Sequence, residues 1–214
     1  MKYRKLVENA KKPNGFWGKM MIKAMNKGHS SLTSWGLEHM NIERTATVLD
    51  IGCGGGKTVD RLCSIVANGK VYGIDYSELS VKSSEKLHSK NILCNKANIL
   101  QASVSDMPFD DNTFDNITAV ETYYFWPDKE NDVKEVFRVL KQGGTVMLLF
   151  EMLRTDDDPF KWEKVENMLN IKSVTPQEIR AVLESAGFEN INTYTKEGTT
   201  WLCATAQKPK DDEN

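Results

Sequence analysis

One stretch constrains this chain more than any other: Val48-Leu-Asp-Ile-Gly-Cys-Gly-Gly-Gly-Lys-Thr58, a β-branched apolar run that meets an acid and then breaks into glycines. A strand feeding such a turn needs backbone that bends through positive φ, or that lies against a bound molecule where a Cβ would intrude. Val59, Leu62, Cys63 and Val66 follow at helical spacing, so a helix is predicted directly after the loop. Strand, glycine loop and helix make a ligand-cradling unit of an α/β domain. At 214 residues the chain is long enough for one well-buried core of this class plus a small cap.

Glycine spacing narrows the ligand. A dinucleotide fingerprint GxGxxG starting at Gly52 wants glycine at position 57, where Lys57 stands. The ending Gly56-Lys57-Thr58 looks like a phosphate-binding loop, but that motif needs its first glycine at the position of Ile51. What remains is GxGxG preceded by Asp50, a combination suited to a ligand that carries positive charge rather than phosphates.

Four later features stand at fitting distances. Val71-Tyr-Gly-Ile-Asp75 reads as a second strand ending in an acid 23 residues after Gly52, with Tyr76 next and Ser77-Glu78 opening a helix. Ala102-Ser-Val-Ser-Asp-Met-Pro-Phe109 is a polar segment leading into a turn. Phe114-Asp-Asn-Ile-Thr-Ala-Val-Glu121 reads as a buried strand, followed by the aromatics Tyr123, Tyr124, Phe125 and Trp126. Val133, Val136, Phe137 and Leu140 predict an amphipathic helix stopped at Lys141-Gln-Gly-Gly144, after which Thr145–Phe150 is a strand. With these features the chain resembles the class I S-adenosylmethionine-dependent methyltransferases, in particular the small-molecule branch (methyltransferase type 11) that includes ubiquinone and menaquinone biosynthesis enzymes. The resemblance runs from about Thr47 to about Leu149 and continues more weakly to the end.

The resemblance implies a Rossmann-like α/β fold, a doubly wound, mostly parallel seven-stranded sheet of order 3-2-1-4-5-7-6 with strand seven antiparallel. It implies S-adenosylmethionine as cofactor, with Asp50, Gly52, Cys53, Gly54, Asp75 and Tyr76 on the loop and ribose side. Asp75 would accept hydrogen bonds from the ribose hydroxyls; read on its own, the same residue could be a helix N-cap. Val104 would offer its N–H to the adenine, Ser103 replaces the usual aspartate, and Ser105 or Asp106 could share that task. Glu121 would lie near the sulfonium or the acceptor, and the aromatics after it either shelter the methyl group or fill the core. Gln142 replaces the proline of the family's LKPGG turn. The reaction implied is in-line transfer of the methyl group to an acceptor nucleophile, leaving S-adenosylhomocysteine, with Glu121 and Tyr124 as candidates for acceptor orientation or proton removal.

The flanks suggest organisation. Residues 1–45 carry helical apolar spacing and are expected to form a cap or lid, with hinge freedom at Gly15, Gly18 and Gly28 and with Tyr3 and Trp17 as ligand-contact candidates. The methyltransferase domain is expected over 46–208, and 209–214 to fray. Thr175-Pro-Gln-Glu178 is a helix start with an N-cap, proline at N1 and an acid at N3.

Several classes are excluded or narrowed. A net charge of −2 leaves no electrostatic footprint for nucleic acid. No apolar run is long enough for a membrane span or signal peptide, so cytoplasm is expected. Cys53, Cys63, Cys94 and Cys203 lack paired spacing, which argues against a zinc site or a disulfide framework. Cys53 sits at a helix N-terminus, where a thiol pKa can fall, yet packing is the simpler role. His29, His39 and His88 are scattered and suggest no metal set; His39 reads as helix surface. The (D/N)PP(Y/F) sequence of family members that methylate base amines or glutamine is absent, for that place reads Glu121-Thr-Tyr-Tyr124. A small-molecule acceptor is left. Competing readings are an S-adenosylmethionine-binding protein without transferase activity and an NAD-linked oxidoreductase; oligomeric state is not encoded legibly.

Overall fold

Buried residues run almost continuously along the central strands, so the sheet has two apolar faces. In this computed structural model, which describes residues 28–210 together with 13, 15, 18 and 20–22, the strands are β1 Thr47–Ile51, β2 Lys70–Asp75, β3 Ala97–Gln101, β4 Phe114–Val120, β5 Leu140–Phe150, β6 Glu189–Thr195 and β7 Leu202–Gln207. They form one seven-stranded sheet of order β3-β2-β1-β4-β5-β7-β6. The strands β1 to β5 pair in parallel, whereas β7 is antiparallel to both β5 and β6. The expected architecture is therefore observed.

Helices cover both faces: α1 Ser30–Leu37, α2 Lys57–Ile65, α3 Glu78–Leu87, α4 Ser89–Leu93, α5 Lys129–Val139, α6 Glu163–Leu169 and α7 Pro176–Ser185. On one face Val48 and Val71 pack with Val59 and Leu62 of α2, while Met147 and Leu149 of β5 pack with Leu32 of α1. On the other, Leu49, Ile117 and Leu148 meet Val133 and Val136 of α5 and Ile179 and Leu183 of α7. Each fully buried side chain of this size contributes about 1.5–3 kcal/mol. The α7 start carries the predicted capping box, with Thr175 and Glu178 each satisfying the other's backbone N–H.

Two local expectations are corrected. Lys141–Gly144 is not a free turn: β5 already begins at Leu140, and the strand takes up the extra residues as an irregularity between Phe114 and Asn116 of β4. Gly144 suits this tight path, since a Cβ there would stand 2.8 Å from the Lys141 carbonyl oxygen and 2.9 Å from that of Asp115. His39 is packed rather than displayed on a helix surface, stacked on Tyr194 with ring centroids 4.0 Å apart. The Lys208 ammonium donates to the carbonyls of Phe137 and Leu140 at 2.8 and 2.9 Å and so caps α5. Residues 211–214, like Tyr3 and Trp17, lie outside the described residues. Among the described residues no helix is long and apolar enough to cross a membrane.

Strand order reverses at β1, whose neighbours β2 and β4 continue in opposite directions across the sheet. A crevice beyond the carboxyl ends of the strands opens at such a point.

Candidate functional site

The glycine loop shapes the floor of a cleft of about 370 Å³ at that switch point. Gly52, Gly54 and Gly56 have φ of +68°, +53° and +82°, so every second residue of the loop takes a conformation that side chains resist. They differ in what surrounds them. A Cβ at Gly52 would strike Thr122 Oγ1 at 2.2 Å, because the chain after β4 packs directly on the loop. At Gly54 the nearest atom to a Cβ would be the Gly52 carbonyl oxygen, 4.0 Å away, although the residue lines the cleft. Bare backbone facing open space is what a closely bound ligand requires.

Asp75, at the end of β2, ties this loop to its neighbour. Its Oδ2 accepts from the Gly54 N–H at 2.9 Å and its Oδ1 from the Ser77 N–H at 2.8 Å. The helix N-cap is Ser77, whose hydroxyl accepts from Ser80 N, so the capping role falls on the serine and Asp75 lines the cleft with Tyr76. Burial raises the Asp75 pKa against the pull of those two N–H donors. Asp50 lies behind the loop, 2% exposed, with Thr118 Oγ1 donating to its Oδ1 at 2.7 Å. Burial pushes its pKa up to about 7, opposed by the Thr118 hydrogen bond and reinforced by the Asp75 charge. Cys53 is packed over Gly73, where an added Cβ would stand 3.1 Å from Sγ. Burial and the two aspartates push its thiol well above the usual range, which cancels any lowering by the helix start.

The far end of the cleft is built differently. Glu121 follows β4 with φ +58°, left-handed backbone at a non-glycine residue. Its Oε1 accepts from the Glu151 N–H and from the Tyr124 hydroxyl, the latter at 3.4 Å. Burial pushes Glu121 up to about 8; the Glu151 N–H pulls the other way and the Glu151 charge adds to the rise. His29, just before α1, puts Nε2 3.8 Å from Glu151 Oε2. Burial lowers the His29 pKa despite that carboxylate. The ligand atoms of His29, Glu121 and Glu151 lie within 4.8 Å of one another. Phe125 and Thr122 also line this end.

The structure brings Gly52, Cys53, Gly54, Asp75, Tyr76 and Glu121 into one cleft, and leaves other candidates outside it. Tyr124 is 5% exposed, and its hydroxyl is occupied by the Met152 N–H at 2.9 Å and by Glu121. Burial and Glu121 push its pKa well above the usual value, so it supports Glu121 instead of facing an acceptor. Ser103, Val104 and Ser105 do not line the cleft; the Ser103 hydroxyl accepts from the Ser105 N–H, and Val104 is buried in the core. They adjoin the site through Ala102, whose N–H donates to the Asp75 carbonyl at 3.2 Å. Tyr123 and Trp126 are core.

Sequence reasoning missed His29, Thr122 and Arg61. The Arg61 guanidinium lines the cleft and donates to Ser30 and Ser34, fastening α2 to α1. From the capping segment, Pro13 and Ile22 line the cleft, and Ser77 donates to the Pro13 carbonyl at 3.0 Å. Nothing at position 29, 30 or 151 carries a local motif that could have announced these contacts.

Comparisons with known proteins follow the same line. A family model described as a methyltransferase domain matches residues 49–148. Over 183 residues the chain is 27% identical to the uncharacterized methyltransferase YdaC of Bacillus subtilis, covering 85% of this chain and 93% of that one. It is 31% identical over 181 residues to the ubiquinone/menaquinone biosynthesis C-methyltransferase UbiE of Cronobacter sakazakii, covering 73% of this chain and 72% of the relative. A solved S-adenosylmethionine-dependent methyltransferase from Aquifex aeolicus shares the fold at a TM-score of 0.67 and 22% identity, covering 86% of this chain and 95% of that one.

Proposed function

This chain belongs to the S-adenosylmethionine-dependent methyltransferases, and on that premise we propose that its acceptor is a small molecule held beside Glu121 and Phe125. The observation that carries the reading is the pairing of a bare, outward-facing Gly54 with Asp75 at one end of a cleft that stays open at the other. A binding protein without transferase activity could tolerate a filled far end; an enzyme needs room there for a second reactant.

The residues suit the cofactor. Each Asp75 oxygen already accepts one backbone N–H and keeps acceptor capacity for a ribose hydroxyl. Bonds of this charge-assisted kind are worth roughly 1.5–3 kcal/mol each. Gly54 offers an uncovered surface for the nucleoside, Tyr76 a ring beside it, and Ser103–Ser105, adjoining Asp75, the adenine edge. Asp50 acts from behind by holding Thr118 and the loop. A cation bound beside Glu121 would draw its raised carboxyl to the ionised form. When bound, S-adenosylmethionine supplies an electrophilic methyl on a sulfonium and leaves as S-adenosylhomocysteine.

The protein's own part is to bind, orient and exclude water. Positioning two reactants can lower a barrier by roughly 7–11 kcal/mol, so no single indispensable base is required. Tyr124 and the Glu151 N–H hold Glu121 in place, Phe125 gives the acceptor an apolar face, and Pro13, Ile22, Ser30 and Thr33 wall the cleft from the N-terminal side. The relative named for C-methylation in ubiquinone/menaquinone biosynthesis supports a small-molecule acceptor. Four free cysteines suit a reducing compartment and support a cytoplasmic reading.

The test is transfer of labelled methyl from S-adenosylmethionine into a fractionated metabolite extract, with Asp75→Ala as control. A labelled small molecule formed by the wild type alone is expected. Tight S-adenosylhomocysteine binding with no labelled product from any fraction would leave a binding protein in place of an enzyme.

A further inference from the structure

His29, Glu121 and Glu151 arrive from three separate places, the residue before α1, the end of β4 and the end of β5, and meet in the acceptor end of the cleft. We propose that these three side chains form a site for a divalent first-row metal ion, one that would also hold an oxygen donor of the acceptor. The inference rests on the methyltransferase reading of the cleft and names how its acceptor end is completed.

Geometry is the first argument. Metal–ligand bonds of roughly 2.0–2.2 Å set two donors on one ion about 3–4 Å apart. His29 Nε2 and Glu151 Oε2 are 3.8 Å apart, too far for a hydrogen bond and within the span of a shared ion. The donor atoms of all three residues lie within 4.8 Å of one another, and the Glu151 side chain is half-exposed, with room to turn.

Orientation is the second. Glu121 Oε1 is taken by the Glu151 N–H and the Tyr124 hydroxyl, and among the described residues Oε2 accepts no hydrogen bond. Ligating carboxylates are held in this way, one oxygen fixed by the protein and the other presented. The left-handed backbone at Glu121 is the kind of strain that persists where surroundings enforce it, here the Glu121 N–H donating to the Leu149 carbonyl at 2.9 Å.

Charge is the third. Among the described residues neither Glu121 nor Glu151 has a lysine or arginine partner; the basic side chain nearest Glu151 is the His29 imidazole, at 3.8 Å. Two carboxylates neutralise a dication, so the filled site would add no repulsion toward a sulfonium nearby. One imidazole with two carboxylates suits Mn²⁺, Fe²⁺ or Zn²⁺. Three protein ligands leave at least one position open for the acceptor.

The experiment uses chelator-treated full-length protein, titrated with Mn²⁺ followed by electron paramagnetic resonance and with Zn²⁺ by calorimetry, with S-adenosylhomocysteine binding measured in parallel. We expect one ion per chain. His29→Ala and Glu151→Gln should each weaken it by about 10-fold or more, with melting temperature and S-adenosylhomocysteine affinity near wild type, while Cys94→Ser leaves metal binding unchanged. Uptake that survives both His29→Ala and Glu151→Gln would put the ion elsewhere and overturn the proposal. So would absence of stoichiometric uptake while S-adenosylhomocysteine still binds, an outcome that points to a cationic acceptor group among these side chains and leaves the methyltransferase reading standing. Failure to bind S-adenosylhomocysteine at all would sink that reading and the metal site with it.

Discussion

The two ends of the cleft are built on opposite plans. At the nucleoside end, positions 50 to 77 form one continuous strand–loop–helix–strand unit whose polar groups are locked by backbone: Asp75 is bonded to the N–H groups of Gly54 and Ser77, and Cys53 N donates to the Ile74 carbonyl. At the acceptor end, His29, Glu121 and Glu151 reach across from distant elements, and two of them meet only at 3.8 Å. The first plan fixes a ligand that never changes; the second leaves side chains free to be altered without disturbing the first. A fold that keeps one cofactor while serving different acceptors needs that division.

The comparison breaks most visibly at Gly54. Gly54→Leu should fill the cradle and abolish S-adenosylhomocysteine binding, by roughly 1,000-fold or more in calorimetry, at a cost in stability of about 1–2 kcal/mol for left-handed backbone. An affinity within 10-fold of wild type would mean that the nucleoside lies elsewhere. Asp75→Ala should follow, with about 100-fold weaker binding from lost charge-assisted bonds. If affinity held while only the melting temperature fell, Asp75 would be a loop clamp and nothing more.

A pH-dependent effect tests whether the rigid end carries its own electrostatic cost. Asp50 titrates at about 7 in the folded protein, against about 4 in an unfolded chain. Between these values the folded state holds a proton that the unfolded state has released, so its contribution is complete below pH 4 and is lost as pH rises through 7. In urea unfolding, Asp50→Asn should therefore lose less stability than wild type between pH 4 and 8, by up to about 4 kcal/mol. Parallel profiles would show that Asp50 does not titrate in this window.

The smallest change should come from Tyr124→Phe, at the flexible end. It leaves the Met152 N–H without its acceptor and frees Glu121, so stability should fall by about 1 kcal/mol. Turnover should drop several-fold with cofactor affinity unchanged. A loss of cofactor binding instead would join the two ends that the structure keeps apart.

Legibility followed the same division. The loop, the β2 acid and the α7 capping box were readable because their residues are neighbours in sequence and act through backbone geometry that only a few residue types permit. Lys141–Gly144 read as a turn because glycines mark a break; only pairing with β4 determines that β5 absorbs it. His39 read as surface because its partner Tyr194 lies on β6. Tyr124 read as a site residue because it stands near Glu121, yet a short 3₁₀ turn over Tyr123–Phe125 gives the cleft Phe125 and the core Tyr124.

By itself, then, the sequence determined the strand–loop–helix unit, since positive-φ glycines, strand-ending acids and capping patterns are local constraints written in consecutive residues, and the family resemblance those motifs carry implied the cofactor class and the sheet order. Only the tertiary structure decided that Asp50 stands behind the loop, that Tyr124 backs Glu121, and that residues 29, 121 and 151 share one corner. Their proximity is set by how α1 packs on β5 and by the register of β4 with β5, and packing between distant segments leaves no periodic trace along the chain.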